Sequence, residues 1–219
     1  EKYPHLSPYL WCAANPITLT DPSGMDNYSV DTLGNITLIQ SNDEPNDKII
    51  PSTNCKDTDI PASITVSKSF MSSEKSAYIK QRSPTYGDGI VKVTTYNGNE
   101  AENVYKFMMN NTSVEWTLVN KKHLGTSHDL NKDATASYLL DQFLGGNKEI
   151  SEMRHTHPNG MKIVSEGDKQ VATEIQTFFP SANLFIDIPS KFNGGSARQY
   201  DQYDIVGLLE EVICVGKRN

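Results

Sequence analysis

Two short segments decide how the second half of this chain folds: His155-Thr156-His157-Pro158 and, after six intervening residues, Ser165-Glu166-Gly167-Asp168. The first reads as the end of a strand, because Pro158 disfavours helical dihedrals at His157 and cannot donate to a ladder. The second reads as a helix start, with Ser165 as cap and Asp168 in the position that a capping box more often gives to Glu or Gln. Val171, Ala172, Ile175, Phe178 and Phe179 then recur at helical spacing, which predicts a helix over 166–179 stopped by Pro180. Leu184 to Ile188 follows as a strand. Strand, helix, strand is the local plan.

Further upstream the same alternation continues. Residues 133–144 predict a helix ended by Gly145 and Gly146. Val114, Trp116 and Leu118 alternate with Glu115 and Thr117 over 114–119, a strand with its apolar residues on one face and Glu115 and Thr117 on the other. Ala101, Val104, Tyr105 and Met108 predict an amphipathic helix over 100–110. Ile90–Tyr96 reads as a strand, and Tyr28–Ile39 as a hairpin turning near Gly34 and Asn35. Residues 41–63, rich in Asp, Asn, Ser and Pro, read as a linker or long loop. Ile205 to Val215 is strand or helix, leaning towards strand at its start. The class is α/β or α+β.

Composition sets outer limits. The 219 residues carry 20 basic and 27 acidic side chains, a net charge of −7 that argues against binding nucleic acid through phosphate neutralisation. A mean hydropathy of −0.51 is polar, yet nineteen aromatic residues remain for a core. No apolar run reaches the roughly 18 residues of a membrane span. Cys12, Cys55 and Cys214 stand far apart and in no paired pattern, so a disulfide framework is excluded and each is expected to be a small buried hydrophobe. The N-terminus has no signal-peptide pattern and no initiator Met, so the chain reads as a fragment of something longer.

The chemistry gathers around the opening segments. Histidines at i and i+2 of an extended segment project to one side, a natural bite for one metal ion. Asp168, one turn into the next helix, can supply a carboxylate as third ligand. Two imidazoles, one carboxylate and an open fourth position are the donor set of a catalytic zinc rather than a closed structural one. Two His, one Pro, one Ser and one Asp at these fixed offsets arise by chance on the order of once in ten thousand chains.

His-x-His-Pro, six residues, then Ser-x-x-Asp resembles the JAB/JAMM (MPN-type) zinc metallopeptidases, best known as deubiquitinating isopeptidases. The resemblance implies a mixed sheet flanked by helices, with zinc on His155, His157 and Asp168. It also implies that Ser165 stabilises the oxyanion and that an upstream glutamate is general base on the zinc-bound water. Glu115, on the strand that follows the helix at 100–110, fits that topology; Glu100, Glu102 and Glu149 are its competitors. The chain departs from the glycine-containing context that the family shows after this glutamate. His123 and His128, in the loop expected after that strand, read as surface residues.

Ser7 to Pro16, followed by Asp21-Pro22-Ser23-Gly24-Met25, resembles the C-terminal end of the RHS-repeat-associated core of polymorphic toxins, a family that often self-cleaves just after such a motif. The expected organisation is therefore an RHS-core tail (1–25), a polar linker with a β-hairpin (26–99) and a JAB/JAMM-like toxin domain (100–219). Together the resemblances imply a zinc peptidase or isopeptidase toxin delivered by a bacterial secretion system. Its expected partners are a protein or peptide substrate and a cognate immunity protein. Two other readings stay open: an MPN-like binding module without turnover, and a metal-dependent nuclease toxin, which the acidic charge disfavours. Substrate specificity is expected in loops around 120–132 and 189–202, which carry no legible code.

Overall fold

The computed structural model describes residues 26–41, 45–52, 63–81, 89–130, 135–192 and 194–204. In chain order these form β1 (Asp26–Val30), β2 (Ile36–Gln40), β3 (Asn46–Pro51), β4 (Ile64–Ser67), α1 (Lys68–Met71), β5 (Lys75–Gln81), β6 (Gly89–Asn97) and α2 (Ala101–Asn111). They continue with β7 (Trp116–Val119), β8 (His123–Thr126), α3 (Thr135–Gly145), β9 (Glu152–Thr156), α4 (Glu166–Phe178), β10 (Asn183–Ile188) and β11 (Ser196–Tyr200). Residues 1–25, the three cysteines and the segment 205–215 lie outside the described residues. Among the described residues no helix is long and apolar enough to cross a membrane.

The strands make two mixed sheets: a small one in the order β2-β1-β3-β4 and a large one in the order β11-β10-β9-β7-β8-β6-β5. With four helices this is the α+β class expected. The hairpin at 28–39 forms as β1 and β2, with Tyr28 opposite Leu38 and Val30 opposite Ile36. Its turn is fixed by the Asp31 carboxylate, which accepts from the backbone N–H of Leu33 and of Asn35 at 2.9 Å each. Gly34 is needed in that turn: φ is +75°, and a Cβ there would stand 2.8 Å from the Trp116 ring. Between β7 and β8, Asn120 and Lys121 both adopt positive φ, as a two-residue type I′ turn demands.

Several expectations need correction. Asn46–Pro51, inside the stretch read as a loop, is β3 and runs parallel to β1. Ser196–Tyr200, also read as loop, is the edge strand β11, and His123–Thr126 is β8. Phe178 does not join the buried stripe of α4 but is 57% exposed. Each i+3 step leaves a helical residue about 60° behind, so by Phe178 the stripe has rotated away from Ala172. Ala172 and Ile175 are buried, with Val171 and Phe179 half-buried beside them. Within 26–99, the segment read as a linker with a hairpin, β5 and β6 pair with each other, and β6 pairs with β8 of the large sheet.

A core lies on each face of the large sheet. On one, Trp116, Leu118, Leu124 and Tyr96 meet Val104, Tyr105 and Met108 of α2 and Val30, Ile49, Val66 and Phe70 from the small sheet and α1. Val114, Trp116 and Leu118 share this face, as the alternation at 114–119 requires; the strand itself starts at Trp116. His128 fastens its rim: Nδ1–H donates to the Leu33 carbonyl at 3.0 Å, and Nε2 accepts from the Thr94 hydroxyl at 2.8 Å. His128 is therefore a half-buried strut rather than a surface residue. On the opposite face Val119, Met153, Leu184 and Ile186 pack against Leu139, Leu140 and Phe143 of α3 and Ala172 and Ile175 of α4. Thr117 is fully buried there, so β7 is covered on both sides.

Candidate metal centre

β9 and β10 are parallel neighbours, Met153 opposite Leu184 and His155 opposite Ile186. A parallel pair needs a crossover, and α4 supplies it. That connection explains the spacing of the motif. The chain leaves β9 through the histidines, turns back, and enters α4 above the strand it has just left.

His155 lies on β9 opposite Thr117 of β7. His157 lies one residue past the strand's end, yet its N–H still donates to the Asp187 carbonyl at 2.9 Å, which keeps it extended. The two rings consequently fall on one side, centroids 5.0 Å apart. Pro158 and Asn159 then turn the chain, closed by the Gly160 N–H on the His157 carbonyl at 3.0 Å. Gly160 has φ of +79°, and the Phe192 ring fills the space its Cβ would need. The turn brings the Met161 carbonyl back to His157 Nδ1 at 2.8 Å. A carbonyl only accepts, so His157 Nδ1 carries a proton and Nε2 is the nitrogen turned towards Asp168.

Asp168 is set by its own helix start. Ser165 Oγ accepts from the Asp168 N–H at 3.1 Å, and the Ser165 N–H donates to Asp168 Oδ2 at 2.7 Å. This capping box holds the carboxylate in place, and the positive end of α4 favours its charge. Oδ1 lies 3.0 Å from His155 Nε2, and Oδ2 lies 3.5 Å from His157 Nε2. Burial pushes the Asp168 carboxyl up, but charge and hydrogen bonding from both imidazoles outweigh it and hold the group well below the usual carboxylate range.

His155, His157 and Asp168 are 4%, 7% and 8% exposed, and one ligand atom from each lies within 4.8 Å of the others. The two Nε2 atoms face each other at 3.1 Å. Ligands at about 2.0–2.1 Å around a tetrahedral ion stand roughly 3.3 Å apart, close to the 3.1 Å between the two Nε2 atoms, each of which has an Asp168 oxygen within 3.5 Å. The three residues could hold a metal. The donor set fits zinc.

Ser165 is exposed beside the cluster, and its hydroxyl proton is not spent on the capping bond it accepts. Glu115 is half-buried and immediately precedes β7. The Trp116 N–H donates to Thr156 Oγ1 at 2.9 Å, tying this strand start to β9. The paired register of β7 and β9 ends at Thr117 and His155, two residues beyond Glu115. Of its competitors, Glu100 accepts from the Ser67 N–H and hydroxyl and Glu102 pairs with Lys106, while Glu149 is exposed in the loop before β9. His123, on β8, has its Nδ1 on the Asn97 side-chain oxygen and its ring edge against Phe143.

Two site neighbours were not legible as such. Tyr200 on β11 brings its hydroxyl to 3.4 Å from His155 Nδ1. Burial, then the charges of Asp168, Glu115 and Asp204, push its phenol well above the usual value. Arg198, two residues earlier and 3% exposed, donates to the Lys162 carbonyl at 2.7 Å and to Asp204 at 2.8 Å, pinning the loop that leads into α4. The sequence Ser196–Tyr200 offers no local signal for either, because an alternation of polar side chains does not reveal which are buried.

Residues 93–173 match the family model of JAB-like toxin 1. Over that stretch the chain is similar to a JAB-like toxin domain. The match runs from within β6 into α4 and takes in Glu115, His155, His157, Ser165 and Asp168. No curated protein and no solved structure matches the chain.

Proposed function

We propose that the JAB-like domain is a zinc-dependent peptidase or isopeptidase that acts as the toxic part of a larger bacterial effector. The observation that carries this reading is the buried trio of His155, His157 and Asp168, with two imidazole nitrogens converging on one carboxylate. Zinc held there would supply a Lewis acid that acidifies water and polarises the amide carbonyl under attack. Glu115 would take the proton from that water and return it to the leaving amine. The Ser165 hydroxyl would donate to the oxyanion as the carbonyl becomes tetrahedral. His157, held by the Met161 carbonyl, and Asp168, held by the capping box, would keep their donor atoms aimed without reorganisation.

The motif at residues 1–25 supports placement behind an RHS-type core, hence export by a secretion system and an immunity protein in the producing cell. Elemental mass spectrometry tests the metal: about one zinc per chain is expected, lost in His157→Ala. Glu115→Gln tests the chemistry. It should keep the zinc and lose on the order of 10²–10⁴-fold in turnover of a peptide or isopeptide substrate. A Glu115→Gln protein as active as the parent would remove Glu115 from the mechanism, and a parent that takes up no zinc would end the metallopeptidase reading.

A further inference from the structure

We propose that Tyr200 is a positioning residue of the metal centre: its buried hydroxyl accepts the Nδ1–H of His155 and so leaves Nε2 as the metal-facing lone pair. The inference rests on the metal-centre reading and adds to it a part drawn from the last described strand, beyond the stretch that matches the toxin family.

An imidazole that coordinates through Nε2 must carry its proton on Nδ1, and that proton needs an acceptor. The two histidines meet this need differently. His157 uses a backbone carbonyl, that of Met161, supplied by the turn beside it at 2.8 Å. His155 sits mid-ladder, where β7 and β10 occupy both flanks, and the hydroxyl of Tyr200 lies 3.4 Å from its Nδ1. The register explains how a residue so distant in sequence arrives there. His155 is opposite Ile186, Ile186 is opposite Arg198, and Tyr200 is the next residue on that face of β11.

Tyr200 does two separable things. Its ring meets the His155 ring edge-on, centroids 5.6 Å apart at 86°, which sets the plane of the imidazole. Its hydroxyl sets where the imidazole proton resides. With Tyr200 only 3% exposed, bulk water has little access to take over that second role. A phenol is suited to the place because its oxygen can accept from Nδ1–H.

Tyr200→Phe keeps the ring and removes the hydroxyl. Zinc affinity, measured by chelator competition, should fall about 10–100-fold, with the far-ultraviolet circular dichroism of the metal-free protein unchanged. Tyr200→Leu, lacking the ring as well, should bind more weakly still. Wild-type affinity in a folded Tyr200→Phe overturns the proposal. Long-range 1H–15N spectra of the metal-free parent above neutral pH give a second reading that needs no variant: His155 Nδ1 should be protonated, and a bare Nδ1 overturns the proposal. If the parent takes up no zinc, the metal-centre reading fails on its own account, and those spectra still decide the role of Tyr200.

Discussion

The two faces of the large sheet each bury a charged cluster at β9 and β10, and the clusters are built to opposite ends. On the α2 face, Asp187 is saturated. It accepts from Arg154 Nε at 2.7 Å and Nη2 at 2.6 Å and from the Tyr105 hydroxyl at 2.8 Å. Charge and hydrogen-bond capacity close on themselves, and nothing further is called for. On the other face, His155, His157 and Asp168 turn two imidazole nitrogens onto one carboxylate, an arrangement that could hold a metal ion. The lesson is that burial alone does not mark a functional cluster. What separates a clamp from a receptor is whether the donors and acceptors balance.

Substitutions on either face can break that contrast. The largest effect is expected from Asp168→Asn, which removes the anionic ligand: zinc uptake should disappear by elemental analysis, and with it any rise in melting temperature on adding zinc to the parent. Asp187→Ala should act on stability instead. Stranding Arg154 and the Tyr105 hydroxyl is expected to cost about 3–4 kcal/mol in urea unfolding of the metal-free protein. The folded fraction should still bind zinc; if it does not, the two faces are not independent.

Thr156→Val sharpens the comparison at the point where the faces touch. It keeps the β-branched shape but leaves the Trp116 N–H without its acceptor, at about 1–2 kcal/mol. Because that bond anchors the strand start beside Glu115, turnover should fall more than zinc affinity. Equal losses would show that Thr156 serves the ligands instead.

The smallest effect concerns His128, on the rim of the α2 face. Burial, foremost, lowers its pKa, so below the unfolded value of about 6.5 the unfolded chain takes up the proton more readily than the folded one. Stability should therefore decline as pH falls through that region towards the folded value. His128→Gln should flatten the decline in urea titrations run at successive pH values. An unchanged slope would assign it to other groups, His123 first, whose pKa is also lowered by burial.

How much of this was open to sequence reading follows from how locally each part is determined. The trio was legible because strand, turn and helix start are contiguous, and every offset is fixed by local geometry. The placement of Glu115 at the start of β7 was legible through alternation about Trp116. β3 was not legible, since a polar Asn46–Pro51 becomes a strand only through parallel pairing with β1. Tyr200 escaped for the same reason. Its importance comes from registers accumulated over three strands, and SARQY carries no local sign of them.

The crossover through α4 has a consequence for the order in which the centre assembles. All three residues of the candidate centre fall within positions 155–168, so bringing them together closes one short loop at small entropic cost. Glu115 and Tyr200 must be delivered across long stretches of chain and await the completed sheet. In a refolding protein the metal trap would thus have the kinetic advantage, able to capture its ion while base and hydroxyl are still unplaced. Time-resolved refolding of a Trp11→Phe variant with a zinc-sensitive dye would then report metal capture before the slowest fluorescence change of Trp116.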